Sequence, residues 1–238
     1  MRESSSSAAI PDAPAKGLRS CVVLLSGGLD SATCLALVSR WGWTVHALSF
    51  DYRQRHRVEL SAARVLSRRY RVASHRVIAI PAFGALGGSA LTDRRIRVPK
   101  SALGVEKIPV TYVPARNTLF LAFALGVAES SGATEIVIGA NALDYSGYPD
   151  CRPAFLKAFE RVAKLGTKAG TAGGGFAVRA PLLDMSKADI VRLALALGLD
   201  TRLTTSCYDP GKGGLPCGSC DSCLLRAKGF AEAGEVDE

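Results

Sequence analysis

Leu25-Ser26-Gly27-Gly28-Leu29-Asp30-Ser31 (LSGGLDS) is the stretch on which the reading of this 238-residue chain turns. It ends an apolar run, Cys21 to Leu25 (CVVLL), and opens a helical pattern, Ser31 to Ser39 (SATCLALVS). A strand that is apolar at every position belongs in a parallel sheet covered on both faces. A glycine-rich turn from such a strand into a helix suits an anion, because unpaired N–H groups and the positive end of the helix dipole face it. The glycines let the backbone approach a phosphate, and the hydroxyls of Ser26 and Ser31 can donate to it. No GxxxxGK[ST] occurs, so no lysine is placed for γ-phosphate chemistry, and no GxGxxG lies between a strand and a helix. The loop therefore suits a pyrophosphate. The expected nucleotide-binding segment runs through Leu25, Ser26, Gly27, Gly28, Leu29, Asp30, Ser31, Ala32, Thr33, Cys34 and Leu35, the alternative being a plain tight turn capped by Asp30.

Outward from this loop, Thr44 to Phe50 reads as a second strand, Arg57 to Arg71 as a helix and His75 to Ile80 as a third strand. Gly84 to Thr111 breaks the rhythm with glycines, prolines and basic residues, and is expected to lie over an active site. Regular structure resumes with a helix over Arg116 to Ser130, a strand over Glu135 to Gly139 and an amphipathic helix over Pro153 to Lys164. A flexible loop is expected at Gly166 to Gly175, a strand at Phe176 to Ala180, and a helix at Ser186 to Leu197 started by Ser186. This alternation predicts an α/β fold with a doubly wound, mostly parallel sheet. Ligands then bind beyond the carboxyl ends of the strands, where the Ser26 loop, Asp51, Asn141 and Pro181 to Lys187 should converge. The expected organisation is a disordered tail at 1–19, a catalytic domain at 20–200 and a cysteine-bearing region at 201–238.

Apolar residues make up 48% of the chain, enough for a substantial core. No uncharged run is long enough to span a membrane, and Met1 to Ser20 lacks the apolar centre of a signal peptide. With seven cysteines and no targeting signal, a reducing cytoplasm is expected, where thiols bind metal or stay free. The net charge of +9 invites a nucleic-acid reading, and Arg53 to Arg76 holds eight arginines. Most fall on one helix whose Val58, Ala62, Val65 and Leu66 form the apolar stripe, which leaves a solvated basic face. Apart from Tyr70, no aromatic residues interleave with them as a base-stacking platform requires. Cys207, Cys217, Cys220 and Cys223 form a CxxCxxC cluster with an outlying thiol among glycine-rich turns. Four thiolates suit one tetrahedral Zn²⁺ in a closed, structural site, with an iron–sulfur cluster as the competing reading. Cys21, Cys34 and Cys151 carry no such signal, and the first two read as small hydrophobes.

The loop SGGLDS resembles the signature of the ATP pyrophosphatase (PP-loop) superfamily. Together with Tyr52 to His56 (YRQRH), Pro114 to Asn117 (PARN), Asp144 to Arg152 (DYSGYPDCR) and CGSCDSC at Cys217 to Cys223, the chain from Cys21 to Phe230 resembles the 7-cyano-7-deazaguanine (preQ0) synthase family of the queuosine pathway. It departs from that family's pattern at Arg53, where glycine is usual, and at Thr205, where tryptophan is common. The resemblance implies an adenine-nucleotide-hydrolase type of sheet and a nitrile-forming ligase that uses ATP, Mg²⁺ and ammonia on 7-carboxy-7-deazaguanine through adenylated carboxylate and amide intermediates. It implies that Ser26, Gly27, Gly28 and Ser31 hold the departing pyrophosphate, that Asp30 stands near Mg²⁺ or caps the helix, and that Arg116 and Lys187 meet the remaining phosphate charge. The guanine-like edge would be read by Asp150 or Asp144, with Tyr145 or Tyr148 stacking on the ring and Arg152 nearby. The expected partners are the deazaguanine acid and ammonia, without stable nucleic-acid binding or a membrane, in a homodimer. A related adenylating enzyme acting on a tRNA base or a protein amine is the alternative, and a nucleotide-binding sensor without turnover is a further one.

Overall fold

The computed structural model describes residues 9–14, 19–101, 108–141 and 148–237. Five strands, β1 (Ser20–Leu24), β2 (Thr44–Asp51), β3 (Ser74–Ala79), β4 (Glu135–Val137) and β5 (Ala177–Arg179), form one sheet in the order β3-β2-β1-β4-β5. Every neighbouring pair is parallel. The helices are α1 (Leu29–Arg40), α2 (Glu59–Arg69), α3 (Pro81–Gly84), α4 (Arg116–Ser131), α5 (Pro153–Gly166), α6 (Lys168–Thr171), α7 (Lys187–Ala196) and α8 (Asp221–Ala233). The chain runs outward from β1 to β3, then returns to add β4 and β5 on the other side. The switch point therefore lies between β1 and β4, where open α/β sheets leave a crevice.

The apolar run at β1 is explained by its two neighbours. Cys21, Val23 and Leu25 join one core with α1, α2, α7 and Phe230 of α8, whereas Val22 and Leu24 join a second core with α4 and α5. The alternation of the strand thus feeds two layers, and neither face tolerates a polar residue. Buried Glu135 of β4 is held by Arg19 and by Arg179, the latter at 2.8 Å.

Ser186 starts α7 as read from the sequence, through a capping box in which its hydroxyl accepts from Asp189 N–H while the Asp189 carboxylate accepts from Ser186 N–H. Three expectations change. The 166–175 stretch is not a plain flexible loop: α5 extends to Gly166, and Thr167 starts α6 by accepting from Gly170 N–H at 3.0 Å. The described part of the 84–111 excursion does not cover the crevice. Its Ala90 and Val98 instead pack against Cys207 and Cys220, and Ser101 N–H bonds Ser219 O. The third change concerns the tail, whose described residues are docked: Ile10 packs on the first core and Pro11 O accepts from the Trp41 indole at 2.8 Å. Region 201–238 is likewise continuous with the main body, since α8 packs along α7.

Candidate active site

At the end of β1 the chain turns through Gly27 with φ +98°, a conformation that L side chains rarely adopt. A Cβ there would lie 2.3 Å from Glu59 O and 2.8 Å from Ala63 N, so the first turn of α2 packs directly on the loop. The Ser26 and Ser31 hydroxyls stand 3.0 Å apart, Gly28 N–H donates to Ser26 Oγ at 3.2 Å, and Ser31 Oγ donates to Gly28 O at 3.0 Å. Gly139, past β4, brings that strand end against the Asp30–Ser31 peptide. The loop is thereby preformed, with α1 beginning at Leu29 and capped by the Gly28 backbone rather than by a side chain.

One cavity opens beyond the switch point, lined by Leu25, Ser26, Gly28, Leu29, Asp30 and Ser31 from the loop and by Ile138 to Asn141 from the end of β4. Ala32, Thr33, Cys34 and Leu35, expected to bind nucleotide, do not line it. Ala32, Cys34 and Leu35 join the first core, and the Thr33 hydroxyl bonds Leu29 O within the helix. Asp51 is absent from the lining as well, because its carboxylate is taken by Arg57 and by Arg53 N–H. Asn141 does converge on the 181–187 segment, donating to Leu182 O and Met185 O.

Lys187, first residue of α7, reaches into the cavity and places Nζ 2.8 and 2.9 Å from the two oxygens of Asp30. Asp30 therefore does not cap α1, since its carboxylate is committed to this cation. Arg116 begins α4 after Ala115 in a left-handed conformation (φ 56°) and lines the opposite wall. Around its guanidinium stand Tyr52, Tyr148, Cys151 and Tyr208, and among the described residues no carboxylate pairs with it.

Of the residues assigned to the base, Tyr148 lines the cavity, its hydroxyl 3.0 Å from the Thr111 hydroxyl. Asp150 does not. Its carboxylate accepts from Asn117 N–H at 3.0 Å, at the amino end of α4, while Asn117 Nδ2 donates to Asp150 O and Cys151 Sγ. It is thus committed as a helix-end anion. Arg152 is exposed at the start of α5 and does not line the cavity. Asp144 and Tyr145 lie outside the described residues.

The cavity includes several groups to which sequence reasoning gave no role. Tyr52, His56 and Glu59 come from the YRQRH segment and the first turn of α2, and Thr205, Ser206, Tyr208, Ser222 and Arg226 from the C-terminal region. The motif YRQRH was a visible signal, but its arginines drew it into a charge argument. Arg55 is in fact no solvated surface group: it bonds Ala90 O, Ile96 O and Asp209. Cys151 also faces the cavity. Burial pushes its thiol up to about 11, against the pull of Arg116, so it is protonated at neutral pH.

Cys207, Cys217, Cys220 and Cys223 converge, with all four sulfurs within 4.8 Å of one another. Backbone N–H groups of Asp209 and Cys217 point at Cys207 Sγ, and that of Cys220 at Cys217 Sγ. Such donors favour thiolates, and the arrangement is compatible with zinc. The cluster sits against the cavity. Tyr208 follows one of these cysteines, Ser222 precedes another, and Thr205 N–H donates to Gly27 O at 2.9 Å.

Among the described residues no helix is long and apolar enough to cross a membrane. Two solved structures share the fold: a predicted tRNA methyltransferase subunit from Methanocaldococcus jannaschii (TM-score 0.50, 14% identity, 92% of this chain and 90% of that one) and a 4-thiouridine synthetase–RNA complex with bound ATP (0.51, 18%, 90% and 53%). At that identity they speak for the fold alone. The curated relatives are far nearer. A 7-cyano-7-deazaguanine synthase from Anaeromyxobacter sp. (strain Fw109-5) is 59% identical across 91% of this chain and 93% of its own length, and one from Methylococcus capsulatus is 57% identical across 92% and 97%. The family model described as "Queuosine biosynthesis protein QueC" matches residues 20–234, and the chain belongs to that family.

Proposed function

We propose that the protein is a nitrile-forming ligase that converts 7-carboxy-7-deazaguanine and ammonia, at the expense of ATP, to 7-cyano-7-deazaguanine. The observation that carries this is one cavity in which the pyrophosphate loop, the Asp30–Lys187 pair and Arg116 all face the strand switch point. The relatives' shared name favours the small deazaguanine acid over a tRNA base or a protein amine as the group activated.

A carboxylate does not react with ammonia until one of its oxygens becomes a leaving group. Its attack on the α-phosphate of ATP gives an acyl adenylate and pyrophosphate. Ser26, Gly28 and Ser31 would donate to the leaving pyrophosphate, with donors already oriented by the loop's own hydrogen bonds. Lys187 would add a cation, its approach guided by Asp30, and Arg116 would meet the second negative region of the substrates. Mg²⁺, when bound beside Asp30, would offset further phosphate charge. Ammonia then gives the amide, and adenylation of the amide oxygen with loss of AMP gives the nitrile. Tyr148 is the wall against which the deazaguanine ring stacks, Tyr145 being the other candidate for stacking and Asp144 the remaining candidate for the edge. One structural zinc on the four thiols would hold Thr205, Tyr208 and Ser222 in the wall.

Purified protein incubated with ATP, Mg²⁺, ammonium and 7-carboxy-7-deazaguanine should yield the nitrile, with two AMP per product, as read by mass spectrometry. Sedimentation of the same preparation tests the homodimer, and metal analysis tests the single zinc. Acid-independent ATP hydrolysis with no nitrogen incorporation would overturn the assignment.

A further inference from the structure

Glu59, in the first turn of α2 where that helix packs on Gly27 of the pyrophosphate loop, and His56, in the turn before it, stand on the cavity wall. Glu59 is held in place. Gln54 Nε2 donates to Glu59 Oε1 at 2.9 Å, and Gln54 itself is fixed by Phe50 O and Tyr52 N–H. His56 Nε2 lies 3.5 Å from the same Glu59 oxygen, and the other ring nitrogen, Nδ1, is buried with no hydrogen-bond partner among the described residues. A buried imidazole nitrogen without a partner is costly unless a ligand completes it. With Nε2 protonated toward Glu59, the pair presents a carboxylate on the cavity wall, next to the loop at Gly27. A carboxylate so placed calls for an N–H donor.

We propose that Glu59, oriented by Gln54 and backed by His56, is the proton acceptor for the substrate nitrogen in both halves of the reaction, a role that rests on the function proposed above. In the first half the ammonia lone pair forms the C–N bond, the C–O bond breaks with its electrons on AMP, and the surplus nitrogen proton passes to the Glu59 carboxylate. Glu59 then releases that proton to solvent, and in the second half the O-adenylated amide passes one nitrogen proton to solvent to give the neutral imidate. The second N–H proton then goes to Glu59, its electron pair becomes the third C–N bond, and AMP leaves with the C–O pair. The electrostatics agree with this placement. Burial pushes the Glu59 carboxyl up to about 7, against the Gln54 hydrogen bond and the Arg116 charge, so it exchanges protons near neutrality. Burial, assisted by Arg116, holds His56 down at about 3, so its ring is neutral beside Glu59. The titratable and charged groups facing the pair from packed elements are Arg116, Tyr52 and Tyr208.

The test separates adenylation, which needs no proton acceptor, from the nitrogen steps. Glu59→Gln should keep acid-dependent ATP–pyrophosphate exchange near the wild-type rate while nitrile formation falls by about 100-fold or more. The rise of nitrile formation through pH of about 7 that Glu59 should give the wild type should vanish in this variant. Glu59→Asp, which keeps the carboxylate but draws it back, should retain the rise at a reduced rate, and it serves if the glutamine variant does not fold. Parallel loss of exchange and nitrile formation with a raised KM for the deazaguanine acid would make Glu59 a base reader and overturn the proposal, as would unchanged nitrile formation. Failure of the wild type to show acid-dependent exchange would instead refute the function itself.

Discussion

Replacing Gly229 by alanine tests the fold's hold on the active site from a residue outside the cavity. A Cβ at Gly229 would lie 2.3 Å from Lys187 Cγ, 3.0 Å from Lys187 Cβ and 3.1 Å from its carbonyl carbon. The lysine stem can rotate, but its backbone cannot. Two effects oppose each other. Alanine in a helix interior gains about 1 kcal/mol over glycine, whereas forcing an extra methyl into a packed contact costs about 1–3 kcal/mol. The contact wins, because the nearest atoms are the root of Lys187 and not its flexible end. Subtracting the propensity gain leaves a net loss of up to about 2 kcal/mol, which lowers Tm by up to roughly 8 °C in a chain of this size. Rotation of the stem also breaks the 2.8 and 2.9 Å contacts with Asp30. The Lys187 side chain is only 9% exposed and that of Asp30 22%, so water compensates their separation incompletely. A further 1–2 kcal/mol lost in the transition state would reduce kcat/KM for ATP by about 10-fold. Thermal denaturation and steady-state kinetics of Gly229→Ala measure both. A raised Tm with unchanged kinetics would show that helix propensity dominates and that the α7–α8 contact does not position Lys187.

If the four thiols hold the proposed zinc, Cys220→Ser or prolonged chelation should remove it and lower Tm, and should also slow turnover because Tyr208 and Ser222 stand in the cavity wall; metal content, Tm and rate measured on one preparation check this, and full activity without metal would contradict it. Asp150→Asn should destabilise the protein by about 1–2 kcal/mol through the amino end of α4. The denaturation midpoint reads that loss, and an unchanged midpoint with altered discrimination between bases would restore Asp150 as the reader. Arg53 holds φ 61°, a left-handed conformation that favours glycine. Arg53→Gly relieves about 1 kcal/mol of strain but adds a similar unfolded-state entropy, so Tm should stay within a few degrees, and a large change either way would mean that the Arg53 side chain matters.

What could be read in the chain alone was whatever depends on neighbours in sequence. The uninterrupted apolar strand, the glycine pair, the serine cap at Ser186 and the CxxCxxC spacing each report a local backbone requirement, and each appears in the fold where it was read. The loop and the four thiols were legible for that reason. The tertiary structure decided which side chains meet. Asp30 and Lys187, far apart in the chain, pair only because the parallel sheet brings α1 and α7 together. Asp150, chemically suited to a base edge, is drawn instead to the free N–H groups at the start of α4. His56 and Glu59, one just before and one within the basic helix read from the sequence, stand at the crevice because α2 packs on Gly27. Periodicity and motif carry local geometry, whereas the fate of a polar group depends on which partner or how much water the folded chain leaves it.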